Sequence, residues 1–213
     1  MDRRPYRRES EERRREDLIG AALDLVAEGG AQAATVRAIA EKAGVTPGLI
    51  RHYFASKDEL TRAAYARLMA EMTAQSAAGF QDAPEDPALR LGLFIAAAVS
   101  PPVADPEAVA LWAGFVHGVR RDAAMREVHA LTYLAFRDLL QELIAALPQP
   151  QPRCDARAKA IACNALIDGL WMESGLLPEA FAPDEIVTIA LHAAGAILGC
   201  DLMTPYQTYR NSK

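Results

Sequence analysis

The sequence has few cysteines and few of the residues that favour strands. Three of its 213 residues are cysteine, and aromatic residues make up 7% of the chain. An odd and scattered set of cysteines argues against a disulfide framework and fits a reducing cytoplasm. Alanine and leucine, which favour helices, dominate over the β-branched and aromatic residues that favour strands. The composition therefore predicts an all-α fold.

The chain also lacks a long hydrophobic run. Phe94 to Ser100 is apolar, but it is short and ends at Pro101-Pro102, whereas a membrane span needs about 20 apolar residues. The N-terminal segment is rich in arginine and has no apolar region behind it, so it does not read as a secretory signal. We therefore expect a cytoplasmic protein with no membrane partner.

Motifs for catalysis and for metal binding are missing too. The chain has no G-x-S-x-G, no G-x-G-x-x-G and no P-loop sequence. His117, His129 and His192 are isolated, and no cysteine pair has zinc-ligand spacing. We expect no metal, no cofactor and no catalysis. Because catalytic triads form in space rather than in sequence, an enzyme stays an alternative, as does a helical adaptor that binds protein.

Charge is unevenly distributed along the chain. The formal net charge is −5, and all of it falls after residue 60, because residues 1–60 are neutral overall. Residues 1–15 hold seven arginines against four acidic residues. A net-acidic protein can still present a basic face to nucleic acid, because binding depends on local charge.

The hydrophobic periodicity predicts helices throughout. Residues 1–10 lack it and are predicted to form a flexible arm, and residues 204–213 are predicted to form a frayed polar tail. Caps, glycines and prolines delimit the segments between them. The predicted helices are Glu11–Gly29, Val36–Ala43, Pro47–Phe54, Ser56–Gly79, Ala88–Ser100, Pro106–Arg120, Ala123–Leu147, Asp155–Ser174 and Pro183–Leu202.

Residues 36–54 have the pattern of a helix-turn-helix. Two helices that cross steeply at a tight turn need a small residue where they meet, and Ala40 is at that position. The turn needs a residue that tolerates positive φ, and Gly44 provides it. Ile39, Val45 and Ile50 supply the apolar contacts. The pattern predicts a DNA-binding head, and an ordinary helical hairpin is the alternative.

The second of these helices would enter the major groove with its N-terminus nearest the bases. Arg51 is the candidate for a guanine contact, and Thr46 and Leu49 for contacts with thymine methyl groups. Thr35, Tyr53 and Lys57 lie at helix ends, where phosphates are contacted. The complete predicted set of DNA-binding residues is Thr35, Arg37, Thr46, Pro47, Gly48, Leu49, Arg51, His52, Tyr53 and Lys57.

Residues Thr35–Leu60 resemble the DNA-binding signature of TetR-family repressors. They share its Thr-x-x-x-Ile-Ala start, Ala-Gly-Val turn, Tyr-Phe pair and Ser-Lys-x-x-Leu close. His52 before the Tyr-Phe pair, and Asp168-Gly169-Leu170-Trp171, are similar to the choline-responsive repressors of glycine-betaine synthesis. The resemblance implies a nine-helix bundle, a homodimer that binds double-stranded operator DNA, and release of that DNA when a small molecule binds.

The aromatic residues of the C-terminal part suggest where an effector could bind. The interpretation is a cage of rings around a cationic ligand, with a carboxylate to balance its charge. Ordinary core packing of the rings, and a neutral or anionic apolar ligand, stay as alternatives. The predicted ligand-binding residues are Trp112, Phe115, Tyr133, Asp168, Trp171 and Glu173.

These observations predict a two-part chain. Residues 1–60 form the DNA-binding domain with the arm, residues 61–203 form a helical domain for effector binding and dimerisation, and residues 204–213 form the tail. The last two predicted helices are apolar on more than one side, so one face needs a partner. We expect an isologous dimer through these helices, with reading helices about 34–36 Å apart on a palindrome.

Overall fold

The computed structural model describes residues 4–148 and 153–213, with ten α-helices, one 3-10 turn at Pro178–Ala180 and no strand within those residues. The all-α prediction is confirmed. The helices are α1 Arg4–Gly29, α2 Val36–Lys42, α3 Pro47–Tyr53, α4 Lys57–Gln81, α5 Pro87–Ala98, α6 Pro106–Val119, α7 Ala123–Ala145, α8 Arg153–Leu176, α9 Glu185–Leu198 and α10 Met203–Asn211.

The N-terminal segment differs from its prediction. Helix α1 begins at Arg4 rather than at Glu11, so most of the predicted flexible arm is helical. Arginine and glutamate are good helix formers, and Pro5 lies in the first turn, where its missing N–H costs nothing. Residues 1–3 of the arm lie outside the described residues, and the side chains of residues 4–10 are not described.

The helices form two compact units. The first consists of the chain up to Met69 together with Ala110–Ala130. Its buried residues come mainly from α1 to α4, together with Phe115 of α6 and Met125 of α7. The largest fully buried side chains of this unit are Leu18, Ile19, Ile39, Ile50, Phe54, Leu60 and Tyr65. The unit therefore extends beyond the boundary predicted at residue 60.

The second unit consists of Ala70–Val109 and Leu131–Lys213. Helix α5 lies at its centre, because almost every side chain from Leu89 to Ala98 is buried. A helix that is apolar on all sides must be covered on all sides. Helices α8, α9 and α10 pack on or beside it, and α7 contributes Leu140 and Ile144 to the same core.

The C-terminal end also differs from its prediction. Helix α9 ends at Leu198, because Gly199 adopts the left-handed conformation with φ 73°. The polar tail then forms α10. Its first turn is capped by Asp201, whose Oδ1 accepts hydrogen bonds from the amides of Met203 at 2.9 Å and Thr204 at 3.1 Å. The two helices predicted to be last are therefore followed by another, and the described residues have ten α-helices where the family resemblance implied nine.

Cys163 and Cys200 are free thiols, and the side chain of Cys154 is not described. Burial raises the pKa of the Cys163 thiol to about 11. Within residues 4–148 and 153–213, no helix combines the length and the apolarity that crossing a bilayer requires.

Candidate functional site

The turn between α2 and α3 has the geometry that the sequence predicts. Gly44 adopts a φ of 64°, and the Val45 amide donates to the carbonyl of Ala40 at 2.9 Å. Ala40 and Ile39 are fully buried, as is Ile50 on α3. Small and apolar side chains therefore hold the two short helices together, and the opposite side of α3 is left to solvent.

Two threonines begin the two short helices in different ways. Thr35 Oγ1 accepts a hydrogen bond from the Ala38 amide at 3.1 Å and so caps α2. Thr46 has the extended backbone of a cap before α3, but its side chain makes no capping hydrogen bond. Its hydroxyl is therefore not committed to the helix end. Pro47 occupies the first turn of α3, where proline favours helix initiation.

The predicted DNA-binding residues lie mainly on the solvent side of this first unit. Leu49, Tyr53 and Lys57 are half-buried, and the other seven are exposed. A Cβ added at Gly48 would meet nothing closer than Thr46 Oγ1 at 4.0 Å, so the backbone at the start of α3 is open to close approach. The exposed members of the set are Thr35, Arg37, Thr46, Pro47, Gly48, Arg51 and His52.

The cationic side chains near the turn differ in their partners. Lys42 on α2 is paired with Glu28 of α1 at 2.6 Å and with Asp24 at 3.8 Å. The hydrogen bond to Glu28 raises the pKa of Lys42. Across the described ranges, neither Arg37 nor Arg51 is part of an ion pair. Both guanidinium groups are therefore available to bind an external anion.

The start of α4 is fixed by two hydrogen bonds that link Glu59 to the residues just before the helix. The Glu59 amide donates to Ser56 Oγ at 3.1 Å, and Glu59 Oε2 accepts from the Ala55 amide at 2.8 Å. This arrangement fixes the chain direction immediately before Lys57. The Tyr53 ring, at the end of α3, meets the ring of His52 edge-on with centroids 5.0 Å apart.

The predicted effector residues divide between the units. Trp112 and Phe115 belong to the first unit, where Phe115 is buried against Tyr65 with ring centroids 5.5 Å apart. The Tyr65 hydroxyl also lies 2.7 Å from Nδ1 of His129. Burial raises the pKa of Tyr65 to about 12, against the opposing effect of a hydrogen bond from Trp112. Tyr65 therefore joins Trp112, Phe115 and His129 in one aromatic and polar cluster.

In the second unit the structure brings Tyr133 and Asp168 together. The Tyr133 hydroxyl donates to Asp168 Oδ2 at 2.7 Å, and Asn164 Nδ2 donates to the same oxygen at 2.9 Å and also to the Tyr133 oxygen. Burial, followed by the hydrogen bond to Asp168, raises the pKa of Tyr133 to about 12. These three residues form one acid–amide–phenol cluster between α7 and α8.

Trp171 and Glu173 lie further along α8. Trp171 is buried, and its indole N–H donates to the carbonyl of Val103 at 2.7 Å. One turn later Gly175 is buried so tightly that an added Cβ would lie 2.1 Å from a methyl group of Val109. Trp171 is thus anchored to the segment before α6, whereas Glu173 is exposed. A cage built from Trp112 and Trp171 stays a prediction from the sequence.

Sequence reasoning missed Asn164, Tyr65 and His129. Asn164 lies four residues before Asp168, so the two share a helix face. A polar amide inside an otherwise apolar helical stripe was the available signal. Tyr65 and His129 are far apart in the chain, and no local pattern pairs them.

Helices α8 and α9 leave large apolar side chains in solvent. Ile161 and Met172 on α8 are each 42% exposed, and Ile189 on α9 is 40% exposed. Other apolar residues of these helices, such as Ile167 and Leu191, are buried in the core. The two helices are therefore apolar on both a core side and a solvent side. No group of three or more His, Cys, Asp or Glu side chains within the described part of the chain could hold a metal ion.

Family models match both parts of the chain. Residues 18–64 match the model for bacterial regulatory proteins of the tetR family, and residues 87–199 match the model for the C-terminal region of BetI-type transcriptional repressors.

Similar sequences and structures agree with these matches. HTH-type transcriptional regulators BetI from Brucella canis and Stenotrophomonas maltophilia are 35% and 32% identical, over 86% and 83% of this chain and 89% of each relative. A crystallised transcriptional regulator from Pseudomonas aeruginosa is 33% identical with a TM-score of 0.78, covering 88% of this chain and 91% of its own. A regulator from Saccharomonospora viridis, crystallised with choline, has the same fold at 17% identity and a TM-score of 0.65, covering 87% of this chain and 95% of its own.

Proposed function

This chain belongs to the TetR family of transcriptional regulators and is of the BetI type, and we propose that it represses transcription as a dimer that leaves its operator when a small cation binds. The names of its family and relatives are those of transcriptional regulators and repressors. The proposed location is the cytoplasm, where bacterial DNA is found.

The observation that carries the DNA-binding part is the solvent side of α3. Arg51 is exposed and forms no ion pair within the described residues, and Gly48 leaves the backbone open at the helix start. A guanidinium fits the two acceptors that guanine presents in the major groove. Lys57 and Tyr53, at the adjoining helix ends, would contact phosphates. We therefore assign base recognition to Arg51 and backbone contacts to the flanking residues.

The apolar solvent side of α8 and α9 supports the dimer. Ile161, Met172 and Ile189 expose hydrophobic surface on helices whose other side is already buried. A second copy that packs the same helices against them would form a four-helix interface with two-fold symmetry. Such a dimer would place its two reading helices on the half-sites of a palindrome.

The cluster of Tyr133, Asp168 and Asn164 supports the effector part. It places a carboxylate beside an aromatic ring, which is the combination that attracts a quaternary ammonium group. A regulator of the same fold was crystallised with choline. The proposed effector is therefore a small quaternary ammonium compound such as choline. The ligand must bind the released state more tightly than the DNA-bound state, and typical coupling weakens operator binding about 5–150-fold.

Fluorescence anisotropy with a labelled duplex from the chain's own upstream region tests the whole proposal. Specific binding should weaken steeply between about 50 and 200 mM salt, because bound phosphates release counterions. Millimolar choline should then dissociate the complex. Absence of specific binding would refute the repressor role, and specific binding that choline leaves unchanged would leave a neutral or anionic apolar effector.

A further inference from the structure

The side-chain oxygen of Asn164 is buried and accepts no hydrogen bond from the described residues. The residue is 2% exposed and lies in the middle of α8. Its amide nitrogen donates to the Tyr133 oxygen and to Asp168 Oδ2, but among residues 4–148 and 153–213 its Oδ1 atom has no hydrogen-bond partner. Buried polar groups in native proteins are almost always paired, so an orphan acceptor points to a partner that belongs at this position.

The orientation of the Asn164 amide follows from its neighbours. An ionised carboxylate can only accept hydrogen bonds, so the amide atom 2.9 Å from Asp168 Oδ2 must be the nitrogen. A flipped amide would place two acceptors against each other. The carbonyl oxygen therefore faces away from the Asp168 carboxylate, and no rotation of the side chain satisfies both ends from within the cluster.

The cluster imposes two different requirements on a ligand. Asp168 supplies negative charge at a half-buried position, and the ring of Tyr133 lies beside it. Both features favour a cation, against the opposing positive charge of Arg137, which acts on the Tyr133 hydroxyl. The Asn164 oxygen needs an O–H or N–H donor, which a fully alkylated ammonium group lacks. A ligand that meets both requirements has a cationic head and a separate donor a few bonds away.

We infer that Asn164 is a specificity-determining residue that selects cations with a hydrogen-bond donor of their own, such as a hydroxyethylammonium head. This inference rests on the proposed cation-responsive function and deepens it. A permanently alkylated cation without a hydroxyl would bind through charge alone and leave the Asn164 acceptor unpaired. Glycine betaine carries a carboxylate where choline carries a hydroxymethyl group, so the Asp168 carboxylate would repel it.

The test compares two cations of nearly equal shape on the full-length protein. Choline carries a hydroxyl where n-propyltrimethylammonium carries a methyl group. Isothermal titration calorimetry should give a Kd for choline about 10-fold lower or more, because sites built to bind a hydroxyl reject analogues that lack it. Equal dissociation constants for the two cations in the unmodified protein would overturn the inference. This comparison does not depend on whether a variant folds.

Two variants then assign the selectivity to a residue. Asn164→Leu should weaken choline alone and bring the ratio of the two dissociation constants close to one. Tyr133→Phe, the matched control in the same cluster, should weaken both cations and keep the ratio. Equal weakening by Asn164→Leu would mean a merely structural role and would contradict the inference. If neither cation binds the unmodified protein although it still binds operator, the cation part of the proposed function fails and the inference fails with it.

Discussion

The hydroxyl of Tyr65 lies 2.7 Å from Nδ1 of His129, and the two rings stack with centroids 6.0 Å apart. Tyr65 is fully buried in α4, at the centre of the first unit. Because an indole N–H can only donate, the phenol oxygen accepts from Trp112 and its own proton is available to the histidine nitrogen. Burial outweighs the hydrogen bond from Trp112, so the neutral phenol is the form that this core stabilises.

Alkaline pH should destabilise the protein through this phenol. The folded-state pKa of Tyr65 is about 12, above the ordinary value of 10.0. Its contribution to stability is complete below pH 10 and is lost as the pH rises towards 12, with a slope of at most about 1.4 kcal/mol per pH unit for one group. Urea unfolding between pH 8 and 11.5 should show this decline.

The variant Tyr65→Phe identifies the source of that decline. Tyr133 also has a pKa of about 12 and will keep part of the pH dependence. Tyr65→Phe should therefore make the decline shallower without abolishing it. An identical slope in Tyr65→Phe and the unmodified protein would show that Tyr65 does not titrate as described.

Replacing Arg51 should cost sequence discrimination. Arg51→Ala is expected to reduce the preference for operator over random DNA by about 1–3 kcal/mol, since it removes a contact to a base edge. Arg67→Ala is the matched control, because that guanidinium is paired with Glu16 at 2.9 Å. Anisotropy titrations with both duplexes measure the difference. Equal losses on both duplexes would make Arg51 a phosphate contact.

Replacing the flanking groups should act differently. Lys57→Ala should weaken binding to operator and random DNA alike. It should also reduce the slope of log K against log salt by about one, which is the contribution of one phosphate contact. Tyr53→Phe should also weaken both, through loss of one hydroxyl. The measurement is the slope of log K against log salt for each duplex. A loss confined to the operator would place these side chains at the bases instead.

A methyl group at the turn should destabilise the first unit. Gly44 has a φ of 64°, which alanine adopts only at a cost of about 1–2 kcal/mol, although no atom lies within 4 Å of the added Cβ. Gly20, in the middle of α1, is equally open but helical. Gly20→Ala should therefore stabilise the protein by about 0.5–1 kcal/mol. Thermal unfolding of both variants should shift in opposite directions.

A charge on α9 should split the proposed dimer. Ile189 is 40% exposed on the face that we assign to the partner subunit, so Ile189→Lys would bury an unpaired ammonium there. Light scattering at micromolar concentration should then report the mass of a monomer. Leu131→Lys, at a 66% exposed position on α7, is the control and should stay dimeric. A monomeric unmodified protein would refute the dimer.

Local signals account for the parts of the fold that the sequence predicted well. Thr35 caps α2, Gly44 takes the positive φ predicted for the turn, Pro47 lies in the first turn of α3, and Ser56 with Glu59 fixes the start of α4. The apolar spacing of α5 likewise identifies a buried helix. Such features can be read from the sequence because the atoms involved are neighbours in the chain.

The parts that sequence reasoning missed depend on distant contacts. The polar C-terminal segment has a weak helical signal of its own and forms α10 against α5, where Tyr206 and Tyr209 pack on the core. The partners of Asn164 come from α7 and from its own helix, so the orphan acceptor exists only after folding. At the N-terminus, the lack of apolar periodicity predicts a flexible arm, but arginine and glutamate favour a helix and α1 begins at Arg4.

The position of α10 has a consequence for how the chain is made. Gly92 on α5 approaches the end of the chain so closely that an added Cβ would lie 3.3 Å from the carbonyl of Leu202 and 3.8 Å from Tyr206. The core around α5 is therefore closed by residues that are synthesised long after α5 itself. The first unit takes its final segment from residues 110–130 and can complete its core during synthesis. The second unit must wait for the synthesis of α10, and until then α5 keeps an apolar side that a chaperone can recognise.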